Sequence, residues 1–195
     1  IEAGLPPGVL NFVAGGGGTV GEEMITNPLV EAISFTGSTG VGKSIQQSVA
    51  QTLVRTQLEL GGKNPAVIME DADLDKAADA VATAAYACAG QWCTSTSRAI
   101  AVREVAEAFN AKLLERVKAI RVGDGRGDVD MGPVCGSDQV ASIMGYINIG
   151  QEEGATLAAG GHRLTADGMD QGCFIEPTVF TDVQPEMRIA QEEIF

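Results

Sequence analysis

The stretch AISFTGSTGVGKSIQQSVAQTL, residues 32–53, decides the fold class. An apolar run at Ala32–Phe35 predicts a short buried strand, and the glycine-rich turn Thr36–Gly42 follows it directly. The next segment, Lys43–Leu53, carries apolar residues at positions 45, 49, 50 and 53, which is the spacing of one helix face. A strand, a glycine-rich turn and a helix in this order are typical of an α/β nucleotide-binding unit.

The segments on both sides continue the α/β pattern. Upstream, Val9–Val13 predicts a short buried strand, and Asn27-Pro28 ends the helical segment that precedes it, because a residue before proline avoids the helical region. Downstream, the predicted strands are Arg55–Leu60, Ala66–Met69, 98–102, Ala155–Gly161 and Phe174–Phe180. The predicted helices run from Asp73, as N-cap, to about Cys88, and over Glu104–Ile120 and Ser137–Glu153.

Composition narrows the class of protein. The chain has 195 residues, is 45% hydrophobic and carries a formal net charge of −13, so we expect a globular protein and no nucleic-acid partner. No apolar run approaches the roughly 18–20 residues of a membrane span, and no secretory signal is visible, so we expect a cytoplasmic protein without a membrane partner. The four cysteines and the single histidine lack zinc-site spacing, so we expect no metal.

Three features could carry chemistry. The turn Gly37–Gly42 opens a helix, where free backbone N–H groups suit a phosphate, although an ordinary turn has the same letters. Glu59 ends an apolar strand before two glycines and could be either an exposed strand end or a general base. Cys93 lies in a loop rich in N–H and O–H donors and could be a nucleophile or an inert small residue.

Four ordered motifs together resemble one family. FTGSTGVG at 35–42, LELGGKNP at 58–65, GQWCT at 90–94 and EEIF at 192–195 are similar to the motifs of the NAD(P)-dependent aldehyde dehydrogenases, in the same order. The resemblance runs from LPPGVLNFV near the start to FIEPTVF near the end. Four ordered motifs are far more specific than any one of them.

The resemblance implies an α/β fold of the aldehyde dehydrogenase type. Residues 1–60 would be the C-terminal part of a Rossmann-like cofactor domain, and residues 61–195 the first part of the α/β catalytic domain. By the same resemblance Cys93 is the nucleophile that attacks the aldehyde, and its backbone N–H supplies an oxyanion donor. Glu59 is the base that activates the water for hydrolysis of the thioester.

The resemblance also assigns the cofactor, NAD or NADP. Gly37 and Ser38, with Gly42 in the same turn, match pyrophosphate contacts. The other matching positions lie near the adenosine or the nicotinamide: Gly15, Thr19, Leu60, Gly61, Glu193 and Phe195. Trp92 and Thr94 flank the nucleophile and would shape the aldehyde tunnel.

The resemblance leaves the substrate and the completeness of the site open. The motifs are close to those of semialdehyde dehydrogenases, such as 2,5-dioxopentanoate or succinate semialdehyde dehydrogenases, which implies a small aldehyde substrate and a homodimer or homotetramer. A CoA-acylating relative and a non-catalytic binding module are the alternatives. Because family segments such as the oxyanion-hole asparagine lie outside residues 1–195, we expect this fragment alone to be inactive and to self-associate.

Overall fold

The computed structural model of the chain describes residues 3–195. These residues divide into two compact units, the first ending at Gly61 and the second beginning at Gly62.

The first unit is built on two parallel strands and a helix. Its elements are a π-helical turn Gly17–Gly21, helix α1 Glu22–Thr26, strand β1 Ala32–Gly37, helix α2 Thr39–Val49 and strand β2 Arg55–Leu60. Strand β1 pairs with β2 in parallel, from Ala32 opposite Arg55 to Gly37 opposite Leu60. Ile33, Ile45 and Val49 form the buried core between the strands and α2. The strand, glycine-rich turn and helix predicted from residues 32–53 are therefore present, but the predicted helix bounds are wrong. Helix α2 begins at Thr39, inside the predicted turn, and ends at Val49, so Leu53 lies beyond the helix and is 85% exposed.

The strand predicted at Val9–Val13 is wrong. These residues have no strand conformation, and the side chain of Phe12 is 93% exposed. Local turn bonds occupy part of this backbone, since the N–H of Val9 donates to the Pro6 carbonyl and the Asn11 amide donates to the Gly8 carbonyl. A strand needs a partner strand for its N–H and C=O groups, and among residues 3–195 this segment pairs with none.

The second unit has more elements and a larger core. The elements of the second unit are strand β3 Asn64–Ile68, helix α3 Leu74–Tyr86, a 3-10 turn Ala87–Gly90, strand β4 Thr96–Ala101, helix α4 Arg103–Lys118, helix α5 Ser137–Glu152, strand β5 Thr156–Ala159, a 3-10 turn Met169–Gln171, strand β6 Val179–Thr181 and helix α6 Arg188–Gln191. Strands β3 and β4 pair in parallel, and β5 and β6 pair in antiparallel fashion.

Helices α3 and α4 cover one face of the β3–β4 pair. The core between them contains the buried residues Ile68, Ala78, Val81, Ala82, Phe109, Leu113 and Val117. Asp73 caps α3, as predicted, by accepting a hydrogen bond from the Lys76 N–H at 3.3 Å. An ion pair between Lys112 of α4 and Asp75 of α3, at 2.7 Å, joins the exposed edges of the two helices.

The strand predicted over Phe174–Phe180 is much shorter in the structure. Strand β6 begins only at Val179, and upstream of it Ile175 makes a single isolated bridge with Arg163. Pro177 explains the late start, because proline has no N–H to donate to a strand ladder.

Shortening Ile68 is expected to destabilise the second unit. Ile68→Val should lower the free energy of unfolding by about 1 kcal/mol, because Ile68 is 3% exposed and the lost methylene leaves a small void. Ile100→Val on the paired strand is the matched control, since Ile100 is 49% exposed. Urea titration followed by circular dichroism measures both variants; equal shifts of the two midpoints would contradict the packing described.

Candidate active-site residues

The carboxyl ends of β1 and β2 bring several candidate residues of the first unit together. In the parallel register Thr36 lies opposite Glu59, and Gly37 lies opposite Leu60. Glu59 is exposed at the penultimate position of β2. Ligands of open α/β sheets bind beyond the carboxyl ends of the strands, so this edge has the position of a ligand site.

The N-terminus of α2 opens at the same edge. Ser38 is the N-cap, and its side chain accepts from the Val41 N–H at 3.4 Å. The N–H groups of Thr39 and Gly40 have no acceptor within residues 3–195. Free N–H groups at the positive end of a helix dipole suit an anionic group such as a phosphate.

Two glycines of this turn lie close to apolar side chains. A Cβ added to Gly42 would lie 2.5 Å from Leu60 Cδ2, and one added to Gly37 would lie 2.5 Å from the ring of Phe35. Gly42 therefore allows α2 to approach β2 closely, whatever binds at the turn.

The two remaining cofactor candidates of the first unit lie in its N-terminal part. Gly15 precedes the π-helical turn and packs against Val20. Thr19 lies within that turn, and its hydroxyl donates to the Gly16 carbonyl at 3.0 Å. Both residues are exposed.

In the second unit, the loop that carries Cys93 follows a turn with left-handed backbone. Cys88, Ala89 and Gly90 have φ angles of 53°, 58° and 74°, a region that costs energy for residues with a Cβ. Gln91 stabilises this turn through two hydrogen bonds. Its side-chain nitrogen donates to the Cys88 carbonyl at 3.1 Å, and its side-chain oxygen accepts from the Cys135 N–H at 2.7 Å. Cys93, Trp92 and Thr94 are all exposed beyond it.

The loop then enters β4 beside the start of β3. The side-chain amide nitrogen of Asn64 donates to the Cys93 carbonyl at 2.6 Å and to the Ser95 carbonyl at 3.1 Å. No acceptor within residues 3–195 takes the N–H of Cys93. That N–H is thus available to a ligand, as an oxyanion donor would need to be.

The EEIF segment is held near the start of β3. A carboxylate oxygen of Glu193 accepts from the Gly62 N–H at 3.3 Å. Gln139 of α5 donates to the carbonyls of Ile194 and Phe195 at 3.1 and 2.7 Å. The preceding residue, Glu192, is bound by Arg188 and by the Tyr146 hydroxyl, and these hydrogen bonds lower the pKa of Glu192 to about 2.

A cavity of about 320 Å³ lies within the second unit. Trp92, Glu193 and Phe195 line it, whereas Cys93 and Thr94 do not. Two of its lining residues, Ser95 and Arg98, have a buried polar atom without a hydrogen-bond partner within residues 3–195, namely the Ser95 hydroxyl oxygen and the Arg98 Nε. Burial, together with the nearby Arg98 charge, lowers the pKa of Lys63 to about 8, against the opposing effect of Glu193 and Glu192.

The lowered pKa of Lys63 predicts a pH-dependent stability. Below pH 8 the ammonium is charged and half-buried, which destabilises the folded state. Above pH 8 the side chain loses its proton in the folded state before it does in the unfolded state. The stability gained by Lys63→Met should therefore be largest near pH 7 and shrink as the pH rises from 8 towards 10. Urea unfolding across this range measures it, with exposed Lys118→Met as control. A gain that is constant with pH would contradict the prediction.

Sequence reasoning missed the residues that hold the candidate groups in place. Asn64, Gln91 and Gln139 each bind backbone atoms far along the chain. Their partners are set by the fold, so no local pattern marks them. The only local signals were the positions of Asn64 inside the LELGGKNP motif and of Gln91 inside the GQWCT motif.

Metal and membrane features are absent from the part of the chain that the structure describes. Residues 3–195 contain no group of three or more His, Cys, Asp or Glu side chains placed to hold a metal ion. None of the helices within those residues has the length and hydropathy that a membrane crossing requires.

Comparison with known proteins decides the family. The whole chain, residues 1–195, matches the aldehyde dehydrogenase family. The chain belongs to this family. Its relatives include the alpha-ketoglutarate semialdehyde dehydrogenase of Haloferax volcanii and the alpha-ketoglutaric semialdehyde dehydrogenase of Bacillus subtilis, each 46% identical over the whole chain. The chain spans 40% of the length of these relatives.

Solved aldehyde dehydrogenase structures share the fold. The betaine aldehyde dehydrogenase of Staphylococcus aureus in complex with NAD+ has a TM-score of 0.95 at 40% identity, covering 99% of this chain and 38% of its own. Aldehyde dehydrogenase C of Pseudomonas syringae, a mutant complexed with NAD+ and octanal, has a TM-score of 0.94 at 38% identity, covering 99% of this chain and 40% of its own. These matches confirm the α/β aldehyde dehydrogenase fold predicted from the motifs.

Proposed function

We propose that this chain is part of an NAD(P)-dependent aldehyde dehydrogenase that oxidises an aldehyde to a carboxylic acid. Family membership over residues 1–195 is the observation that carries the proposal. The exposed position of Cys93 and its unpartnered N–H support a nucleophilic role. We assign residues 1–60 to the cofactor domain and 61–195 to the catalytic domain, on the resemblance of their motifs.

In the proposed mechanism Cys93 is the covalent catalyst. Its thiolate adds to the aldehyde carbonyl carbon, and the carbonyl oxygen takes up negative charge facing the Cys93 N–H. Loss of a hydride from the resulting thiohemiacetal leaves a thioester on Cys93. Glu59 takes a proton from a water molecule, which attacks the thioester carbonyl, so that the carboxylic acid departs and the thiolate is restored.

The residues of the first unit suit a dinucleotide. The free N–H groups at the start of α2, beside Gly37 and Ser38, would hold its phosphates. On the family resemblance, Gly15 and Thr19 would lie near the adenosine. Leu60, Gly61, Glu193 and Phe195 would lie near the nicotinamide. When bound, NAD+ or NADP+ supplies the hydride acceptor for the oxidation. The Staphylococcus aureus relative was crystallised with NAD+, which favours NAD+.

The substrate we propose is a small semialdehyde. The two relatives at 46% identity are both named for alpha-ketoglutarate semialdehyde, which is 2,5-dioxopentanoate. Trp92 and Thr94 flank Cys93 and would form part of the tunnel that admits it. Succinate semialdehyde is the comparison substrate.

We further propose that activity requires a longer polypeptide containing these residues, assembled as a homodimer or homotetramer. The chain spans 40% of the relatives' length. On the family resemblance, the oxyanion-hole asparagine lies outside residues 1–195. Loss of one oxyanion donor typically costs about 2.7–4 kcal/mol in the transition state. The isolated 195-residue chain is therefore expected to be inactive or nearly so.

A steady-state assay tests the proposal. The full-length polypeptide and the 195-residue chain are each incubated with 2,5-dioxopentanoate or succinate semialdehyde and with NAD+ or NADP+, and the absorbance of the reduced cofactor is followed. Turnover by the full-length polypeptide supports the proposed function, and its absence with every aldehyde contradicts it. Turnover at ordinary rates by the 195-residue chain would contradict the requirement for further segments.

One enzymatic alternative shares the same cysteine. In a CoA-acylating enzyme the thiol of CoA, in place of water, would resolve the thioester. Glu59 within an intact LELGG motif favours hydrolysis. Mass spectrometry of the product in the presence of CoA separates the two, because only the alternative yields an acyl-CoA.

A further inference from the structure

The backbone around Cys93 is held on both sides of its Cα atom. The Trp92–Cys93 peptide is fixed through its carbonyl, which accepts from the Ser95 N–H at 3.0 Å. The Cys93–Thr94 peptide is fixed through its carbonyl, which accepts from the Asn64 amide at 2.6 Å. Since φ and ψ of a residue describe the rotation of these two peptides, the two hydrogen bonds together restrain the backbone conformation of Cys93.

Asn64 supplies the restraint that comes from outside the loop. Its amide nitrogen has two hydrogens and meets two carbonyls, those of Cys93 and Ser95, so both donors are used. Asn64 is the first residue of β3 and pairs with Thr96 of β4, beside an irregularity in register between Asn64 and Pro65. A strand of the core therefore carries the donor, and the loop is tied to a rigid element.

Space around this contact is limited. A Cβ added to Gly62 would lie 3.3 Å from the Asn64 side-chain oxygen and 3.5 Å from the Cys93 carbonyl oxygen. The neighbouring Ser95 is buried. Asn64 is half-buried between the segment before β3 and the loop, and its two hydrogen bonds to the loop carbonyls hold its amide there.

We propose that Asn64 is a positioning residue for Cys93, which holds the Cys93 N–H where it can donate to the oxyanion formed during attack. This inference rests on the proposed function, since it takes Cys93 to be the nucleophile. Asn64 does not touch the sulfur, and it acts through the peptide that follows Cys93. A misplacement of about 1 Å in a reacting group typically costs about 10²-fold in rate, so the loss of this restraint should be measurable.

Two reagents separate positioning from general damage to the fold. With 4-nitrophenyl acetate the thiolate attacks the ester carbonyl, whose oxygen takes up negative charge before 4-nitrophenolate leaves and a thioester remains. With iodoacetamide the thiolate displaces iodide from a CH₂ group, and no oxyanion forms. Neither reaction needs a cofactor. Only the first depends on a well-placed N–H of Cys93.

The test uses Asn64→Asp in the full-length polypeptide, because aspartate keeps the shape of asparagine and lacks the N–H donors. We expect acylation of Cys93 by the ester, followed by peptide mass spectrometry, to slow by about 10- to 100-fold. Alkylation of Cys93 by iodoacetamide should stay within about twofold of wild type. Asn64→Ser, with a single hydroxyl donor, should give an intermediate acylation rate and serves if the aspartate variant fails to fold.

Ser97→Ala is the matched control. Its hydroxyl donates to the Asn64 backbone carbonyl at 3.4 Å and touches neither loop carbonyl, so both reaction rates should match wild type. Unchanged acylation in both Asn64 variants, or an equal slowing of acylation and alkylation, would overturn the positioning role. If wild-type Cys93 is acylated no faster than Cys88, the nucleophile assignment itself fails, and this result is seen before any variant is made.

Discussion

Replacing Cys93 with alanine is expected to lower kcat for aldehyde oxidation on the order of 10⁴-fold or more in the full-length polypeptide. The thiolate forms the covalent intermediate in the proposed mechanism, and removal of a covalent nucleophile typically eliminates most of the catalysis, leaving what binding and the oxyanion donors supply. Reduced-cofactor absorbance in the steady state measures the loss. Cofactor affinity, measured by quenching of intrinsic fluorescence, should change little.

The control for this variant is another exposed free cysteine. Cys135→Ala removes a thiol that has no hydrogen-bond partner within residues 3–195. It keeps the hydrogen bond that the Cys135 backbone N–H donates to the Gln91 side-chain oxygen. Its kcat should remain within about twofold of wild type. Residual turnover above about one per cent in the Cys93 variant would contradict the nucleophile assignment.

Replacing Glu59 with glutamine is expected to slow turnover by about 10²- to 10⁴-fold at a different step. General base catalysis contributes this range, and the base is needed only when water attacks the thioester. The first turnover should therefore still release one equivalent of reduced cofactor per site as a burst. Rapid mixing measures the burst, and intact-protein mass spectrometry measures the acyl group that accumulates on Cys93.

Glu31→Gln is the control for the glutamate variant, since Glu31 is an exposed residue of the same unit, directly before β1. It should retain wild-type turnover. Loss of the burst in the Glu59 variant would place Glu59 in the attack or hydride-loss step and contradict its role in hydrolysis. Full recovery of turnover on addition of CoA would instead support the CoA-acylating alternative.

Long amphipathic helices were predictable from the sequence. Asp73 marked the start of α3, and the apolar spacing of Glu104–Ile120 marked α4, because a helix records its buried face in a local repeat. The strand prediction at Val9–Val13 failed for the opposite reason. An apolar run indicates burial only if a partner strand is present, and partner strands are not encoded locally.

Some residues of the candidate site were predictable from the sequence and others were not. Cys93 and Glu59 were singled out because residue type and motif carry chemical information. Asn64 was not, because its partners, the carbonyls of Cys93 and Ser95, lie about thirty residues further along the chain. Only the parallel pairing of β3 with β4 brings them together.

The sequence by itself predicted the family and the α/β class, which are confirmed, and it marked Cys93 and Glu59 as candidates for chemistry, since motifs and hydrophobic periods are local properties of the chain. The tertiary structure decided the rest: the packing of Gly42 against Leu60 and the restraint of Cys93 by Asn64. Each of these depends on a contact between segments that are distant in sequence. Such contacts follow from the packing of whole elements, and no local pattern specifies them.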